Sequence, residues 1–425
     1  MSAEIVTLLF LGAAIVLFVT EMIPLSVTAM LLSVGFVLTG VLTPAEAFSG
    51  FVDSNVLLFI AMFIIGAAIF ETGMANKLGG MVVRFAKTER QLILVVMLVT
   101  GVMSGFLSNT GTAAVLIPVV VGIAARSGFA RGRLLLPLVI AAAMGGNLSL
   151  IGAPGNMIAQ SGLQSIGLEF GFFEYALVGL PILLIGMVYF ALVGYKLLPS
   201  TQAATDGQVS DLFASDIDYD QVPAWKRNLS LVVLIFTVLA MVFESQLGIR
   251  LYVSAWLGAL ILIVFRVIDE NSAMGAIDMK TILLFVGSLS LATALQKSGA
   301  GNMIADGLIW VLGESPSPFV ILAVILVVSA VLTNFMSNTA TTALLVPIGL
   351  LIAQKIGADP KAVLMATVIG ASFAYATPIG MPANAMIYGI GNYRFNDYVK
   401  AGVPLVVLSV IISLLLLPIL FPFYP

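Results

Sequence analysis

The residues in this chain best suited to chemistry are two uncharged triplets, Ser108-Asn109-Thr110 and Ser337-Asn338-Thr339, 229 positions apart in equally apolar surroundings. Their hydroxyl and carboxamide oxygens are hard, neutral ligands suited to Na⁺, and their O–H and N–H groups can donate hydrogen bonds to a carboxylate or sulfate. The chain has no cysteine and no histidine, which excludes disulfides, thiolate or imidazole metal sites, and Cys or His catalysis. No paired carboxylates replace them, so an enzyme is not the expected reading. A lone Ser-Asn-Thr in a membrane helix serves as interhelical glue or bonds back to the preceding turn. Two copies in matching contexts argue for a site.

The contexts match because the chain is a duplication. Ser104–Pro118 aligns with Thr333–Pro347 without a gap, and Ser149-Leu-Ile-Gly-Ala-Pro-Gly-Asn156 aligns with Thr377-Pro-Ile-Gly-Met-Pro-Ala-Asn384. Val56–Phe59 echoes Ile282–Phe285, Thr72-Gly73 echoes Ser298-Gly299, and Glu174-Tyr175 echoes Asp397-Tyr398, with every offset between 223 and 229. Two repeats follow, 1–198 and 225–425, joined by an acidic linker, 199–224, that carries Asp206, Asp211, Asp216, Asp218 and Asp220.

Composition sets the solvent. Hydrophobic residues make up 60% and charged residues 9%, against about 25% charged in a soluble domain. An all-α polytopic membrane protein is expected, in contact with lipid and located in the cytoplasmic membrane. A net charge of -3 and a pI near 5.1 give no reason to expect a nucleic-acid partner. The start, Met1-Ser-Ala-Glu, lacks the basic region of a cleaved signal, so the first apolar run is expected to remain as a helix.

In the first repeat, spans are expected at 4–20, 24–42 and 54–70, then a surface segment at 71–90 with Lys77, Arg84, Lys87 and Arg90. Residues 91–125 number 35, fewer than the more than about 40 that two spans and a turn require. A re-entrant hairpin with Ser-Asn-Thr at its tip fits that length. A helix at 134–163, broken at Gly145-Gly146-Asn147 and Gly152–Gly155, and a helix at 172–198 complete the repeat. The second repeat has spans at 228–246, 252–268 and 281–296, a hairpin at 317–354, a broken helix at 362–388 and a last helix at 404–421. Five crossings per repeat make the two copies inverted. Counting Lys and Arg, fourteen fall on one side and four (Arg250, Lys297, Lys355, Lys361) on the other, which puts both termini outside.

The hairpins and broken helices contain no Asp, Glu, Lys or Arg. Helix ends, hydroxyls and amides can orient an anion there, but they cannot neutralise it where an unpaired ion costs several kcal/mol. A co-bound cation would, held by the tip oxygens and the freed carbonyls of Gly152 and Gly380. Proton coupling lacks a carrier, since Glu21, Glu71 and Glu244 sit at span ends.

With both Ser-Asn-Thr tips and both Pro-x-Asn breaks, the chain resembles the divalent anion/sodium symporter family of the ion transporter superfamily over nearly its whole length. The resemblance implies a homodimer in which scaffold helices hold two transport domains that carry their sites across the membrane like an elevator. It implies Na⁺ held by Ser104, Ser108, Asn109 and the Gly152 backbone, and by Thr333, Asn338 and the backbones of Met336 and Gly380. A dicarboxylate, citrate or sulfate would lie between the two triplets. Where many members carry a hydroxyl before proline, this chain has Ala153-Pro154 and Met381-Pro382, which opens the site to a different or partly apolar organic anion. The expected function is Na⁺-coupled uptake of a small divalent anion. The alternatives are a Na⁺-independent exchanger of the same fold, or a cation/proton antiporter or oxyanion exporter that would depend on Glu244 or Glu21.

Overall fold

The computed structural model describes residues 2–83, 88–199, 221–312 and 317–424, so Arg84, Lys87 and the five linker aspartates lie outside the described residues. Every regular element among those described is helical. α1 (Ala3–Thr20) and α2 (Leu25–Leu38) meet at a turn in which Glu21 is left-handed, and α3 (Pro44–Ala47) leads into α4 (Ser54–Glu71). α5 (Met74–Val83) precedes the pair α6 (Glu89–Ser104) and α7 (Asn109–Ser127). An interrupted helix, α8 (Arg131–Gly145) and α9 (Pro154–Gln164), and then α10 (Ala176–Leu192) follow.

The same order returns in the second part of the chain. It runs α11 (Ala224–Val242), the short α12 (Glu244–Leu247), α13 (Leu251–Val264), the short α14 (Glu270–Gly275), α15 (Met279–Ser298) and α16 (Ala300–Leu312). The pair α17 (Pro318–Leu332) and α18 (Asn338–Ile356), the interrupted α19 (Pro360–Ala371) and α20 (Pro382–Ile390), and α21 (Phe395–Leu420) complete it.

Six of these helices, α1, α4, α11, α15, α18 and α21, are long and apolar enough to cross a membrane. A helix apolar on all faces is either buried or bathed in lipid, and burial separates the two cases. In α1, α11 and α21, 22% of the most apolar window is buried, whereas in α4 the share is 61%. The first three form the exposed periphery of the chain. At the centre, α8 is buried throughout 134–145 and α19 throughout 362–371. The chain is thus an all-helical, multi-span membrane protein.

Five helices differ in length from what the sequence suggests. α2 and α13 have 14 residues each, about 21 Å. They are stopped by backbone that must turn left-handed, at Gly40 (φ 72°) and Arg266 (φ 53°), before the apolar runs end. α21 begins nine residues earlier than expected, because Asp397 accepts the Arg394 N–H at 2.7 Å and caps a polar first turn that hydropathy passes over. α7 and α18 have 19 residues each and are not short arms. Length alone therefore does not show that these pairs re-enter.

Between apolar helices in lipid, packing and interhelical hydrogen bonds hold what the hydrophobic effect cannot, at about 0.6 kcal/mol per bond. Tyr393 supplies such a link between the two parts of the chain. Pro137 weakens the hydrogen-bond ladder of α8, and the Tyr393 hydroxyl inserts there, accepting from Leu136 N–H at 2.8 Å and donating to Gly132 O at 2.6 Å.

Candidate functional site

Both triplets occupy helix starts. Ser108 caps α7 by accepting the Gly111 N–H at 3.1 Å, and Ser337 caps α18 by accepting the Ala340 N–H at 3.1 Å. Accepting leaves each hydroxyl hydrogen available to a ligand. The breaks end in helix starts too, with proline at the first helical position of α9 and α20. Their N-caps, Ala153 and Met381, carry no capping side chain, so the first-turn amides lack a side-chain acceptor.

These four N-termini converge on one cavity of about 420 Å³. Ser108, Asn109, Thr110, Ala153 and Pro154 line it from one repeat, and Ser337, Asn338, Thr339, Met381 and Pro382 from the other. All ten residues singled out in the sequence as substrate-facing are therefore brought together.

Behind each tip lies a cluster of oxygens. Ser104 Oγ is 2.7 Å from both Asn109 Oδ1 and Ala142 O, and its single hydrogen can serve only one of them. The same carboxamide atom is 3.1 Å from Gly152 O and 3.2 Å from Ala142 O. With oxygen turned inward, four oxygens crowd together around one hydrogen, an arrangement that a small hard cation resolves. With nitrogen inward, the amide's two hydrogens are shared among the three neighbouring oxygens and the cluster closes on itself. In the second repeat Thr333 Oγ1 is 2.8 Å from Asn338 Oδ1 and 2.5 Å from Ala371 O, and Asn338 N–H donates to Gly380 O at 3.3 Å.

Ser104, Asn109 and Gly152 thus meet as the sequence suggested, as do Thr333, Asn338 and Gly380. Ser108 Oγ uses one of its two lone pairs in capping α7, and Met336 is buried next to the Ser337 cap of α18. The carbonyls of Ala142 and Ala371 escape a reading of side chains. Their only signal is that each lies 38 residues beyond the hydroxyl that contacts it, Ser104 or Thr333.

The breaks are held open by the protein's own groups. Asn156 Nδ2 donates to Gly146 O and Ser149 O, both at 2.8 Å, and Asn384 Nδ2 to Ala374 O at 2.8 Å and Thr377 O at 3.1 Å. Tyr175 OH donates to Asn156 O at 3.0 Å, and Tyr398 OH to Asn384 O at 2.7 Å. A side chain at Gly179 would overlap the Asn147 carbonyl, and one at Gly402 the Tyr375 carbonyl, so each closing helix presses backbone against a break. Asn147 Nδ2 donates to Ser372 Oγ at 2.6 Å, tying the two breaks together across the cavity that both residues line.

Helices α2, α4 and α15 form the opposite wall with Ser26, Phe59, Phe63, Asp278, Lys280 and Thr281. Asp278 caps α15, accepting Lys280 N–H at 3.1 Å, Thr281 N–H at 3.3 Å and the Thr281 hydroxyl at 2.6 Å. Among the described residues, Lys280 is the only basic one that lines the cavity. Asp53 caps α4 in the same way, but there α4 is tied to α9. Asn55 Nδ2 donates to Ser161 Oγ and Gln164 Oε1 of α9, both at 2.8 Å, and Ser161 Oγ donates to Asp53 at 2.9 Å. Glu21 and Glu244 do not line the cavity, and Glu244 lies 3.9 Å from Arg250.

The citrate transporter family, CitMHS, matches residues 15–350 and 336–424. The chain is 26% identical to the uncharacterized transporter YfbS of Escherichia coli K12, covering 100% of both chains. It is 24% identical to the sodium-dependent dicarboxylate transporter SdcS of Staphylococcus saprophyticus, over 95% of this chain and 83% of that one. Among solved structures, the Alcanivorax borkumensis YdaH transporter shares the fold, with a TM-score of 0.67 at 15% identity over 92% of this chain and 89% of that chain. The protein is a transporter and not an enzyme, and it belongs to the citrate transporter family, whose homologues include sodium-dependent dicarboxylate transporters of the ion transporter superfamily.

Proposed function

We propose that this protein couples Na⁺ to the movement of a small divalent anion, of the dicarboxylate, citrate or sulfate class, by alternating access. The observation that carries the reading is the convergence of four helix N-termini, two of them without capping side chains, on a cavity backed by two corresponding polar clusters, Ser104-Asn109-Ala142 and Thr333-Asn338-Ala371. Four helix ends contribute about 1–4 kcal/mol together. Desolvating a dianion costs several kcal/mol per charge. Two cations, one behind each tip, close that gap and leave the loaded site neutral. Ser104, Asn109, Gly152 and Ala142 would hold one ion, and Thr333, Asn338, Ala371 and Gly380 the other.

Residues 1–198 and 225–425 are read as inverted repeats, with α6–α7 and α17–α18 as hairpins entering from opposite faces. What supports mid-depth tips is that each abuts a break in a buried helix; arm length does not. The distribution of Lys and Arg favours both termini outside, and the cavity beside Lys280 then opens to the cytoplasm. Helices α1–α4 and α11–α15 serve as the scaffold of a homodimer, against which the hairpins and broken helices travel.

Thermal stabilisation of the purified protein tests this with a panel of anions, each offered with Na⁺ and with choline. Stabilisation by one anion only when Na⁺ is present is the expected result. Stabilisation indifferent to the cation would replace the symporter with an exchanger.

A further inference from the structure

Away from the transport cavity, three cationic side chains crowd one aromatic ring. The Arg90 guanidinium carbon lies 4.6 Å from the centroid of the Tyr195 ring, and Arg90 also donates to the Tyr195 hydroxyl. The Arg133 guanidinium carbon and Lys196 Nζ each lie 5.9 Å from the same centroid. Among the described residues one carboxylate answers them, Glu89, 3.0 Å from Arg133 Nη1. Three positive charges against one negative repel one another unless an anion joins them. A second observation points the same way: Arg133 Nε is buried with no hydrogen-bond partner, a charged donor that costs stability when left unpaired.

The position of the cluster identifies the anion. Arg90 opens α6, Arg131 and Arg133 open α8, and Tyr195 and Lys196 follow the end of α10, so the cluster sits at the ends of three helices, on the side that the distribution of Lys and Arg assigns to the cytoplasm. α8 has no side-chain N-cap, and its first turn is basic, the wrong sign for that helix end unless an anion is near. Below the cluster, Leu184, Val188 and Leu192 are exposed at four-residue spacing along α10, an apolar ridge about 12 Å long. A free phosphate would use the cations but not the ridge.

We propose that this corner binds the phosphodiester of an anionic glycerophospholipid. Arg90, Arg133 and Lys196 hold the phosphate around Tyr195, and an acyl chain lies along Leu184, Val188 and Leu192. The site is independent of which ion and anion the central cavity carries.

Native mass spectrometry of the delipidated full-length protein, titrated with phosphatidylglycerol, phosphatidylcholine or inorganic phosphate, tests the proposal. Phosphatidylglycerol should bind in preference to phosphatidylcholine. Arg90→Gln with Lys196→Gln should weaken phosphatidylglycerol about 25-fold, roughly fivefold per charge, and leave phosphatidylcholine unchanged. Both side chains are exposed; should the double variant unfold, Lys196→Gln alone decides on the fivefold effect. Equal binding of the two lipids, an unchanged affinity in the variants, or phosphate alone competing as well as the lipid would each overturn the assignment.

Discussion

Asn55→Ala should shift the carrier between its two orientations. In this structure the Asn55 amide makes two 2.8 Å hydrogen bonds, to Ser161 and Gln164, across the seam between α4 and α9, and Asn55 is 2% exposed. Each buried bond contributes about 0.5–1.5 kcal/mol net, so losing both removes about 1–3 kcal/mol from the closed seam. If no comparable bond is lost in the opposite orientation, its population rises about 5–150-fold. Because the chain has no cysteine, Thr110→Cys places a single thiol in the cavity. Its labelling by a membrane-impermeant maleimide, applied from the side that the Asn55 seam closes, reports that population directly. The rate should rise at least fivefold in the Asn55→Ala background. A rise of less than twofold, in protein that still unfolds cooperatively, would show that the seam is not a latch.

Four further outcomes follow from the same geometry. Asn109→Ala and Asn338→Ala should each weaken Na⁺ and anion binding together, by tenfold or more in titrations of thermal stability; loss of one without the other would separate the two sites. Gly152→Ala sets a methyl 2.5 Å from Gly146 O and 3.1 Å from Gly105 O, so the first oxygen cluster must open and the apparent Na⁺ affinity should fall at least tenfold, read by the same titration. Lys280→Gln removes the one basic residue that lines the cavity among the described residues and should raise the KM for the anion severalfold on that face, with a dependence on ionic strength that the wild type has and the variant lacks. Uptake, corrected for the ionisation of the substrate itself, should be flat from pH 6 to 8. The hydrogen bond from Lys297 holds the Glu46 carboxylate near pKa 2 instead of 4.5, so its contribution is present above pH 4.5 and fades only toward pH 2, outside that window.

Much of the site could be read from residue types because polar groups stand out in an apolar chain. Ser108-Asn109-Thr110, Ser337-Asn338-Thr339 and the two Pro-x-Asn breaks are conspicuous for that reason, and the duplication indicates which residues meet. Ala142 and Ala371 were illegible, since a carbonyl contributes the same atom whatever side chain it carries. The wall formed by Asp278 and Lys280, and the seam formed by Asn55 and Ser161, depend on how distant helices pack, and no local pattern encodes that. Helix ends failed where capping chemistry overrode hydropathy, as at Asp397, or where a left-handed residue cut an apolar run short, as at Arg266.

The stitching of the breaks has a consequence for leakage. Asn156 and Asn384 satisfy carbonyls, and Tyr175 and Tyr398 pin those asparagines, all without help from a solute. The cradle therefore keeps its shape when vacant, and a half-filled carrier is not misshapen. Shape cannot be what forbids it to move. Under the proposed coupling the safeguard is electrical: a dianion without its sodium ions, or sodium without the dianion, would carry unbalanced charge past Phe59 and Phe63 of the opposite wall. Slippage in this protein should accordingly grow with any change that makes that wall polar, even one that leaves every ligand of the ions and the anion in place.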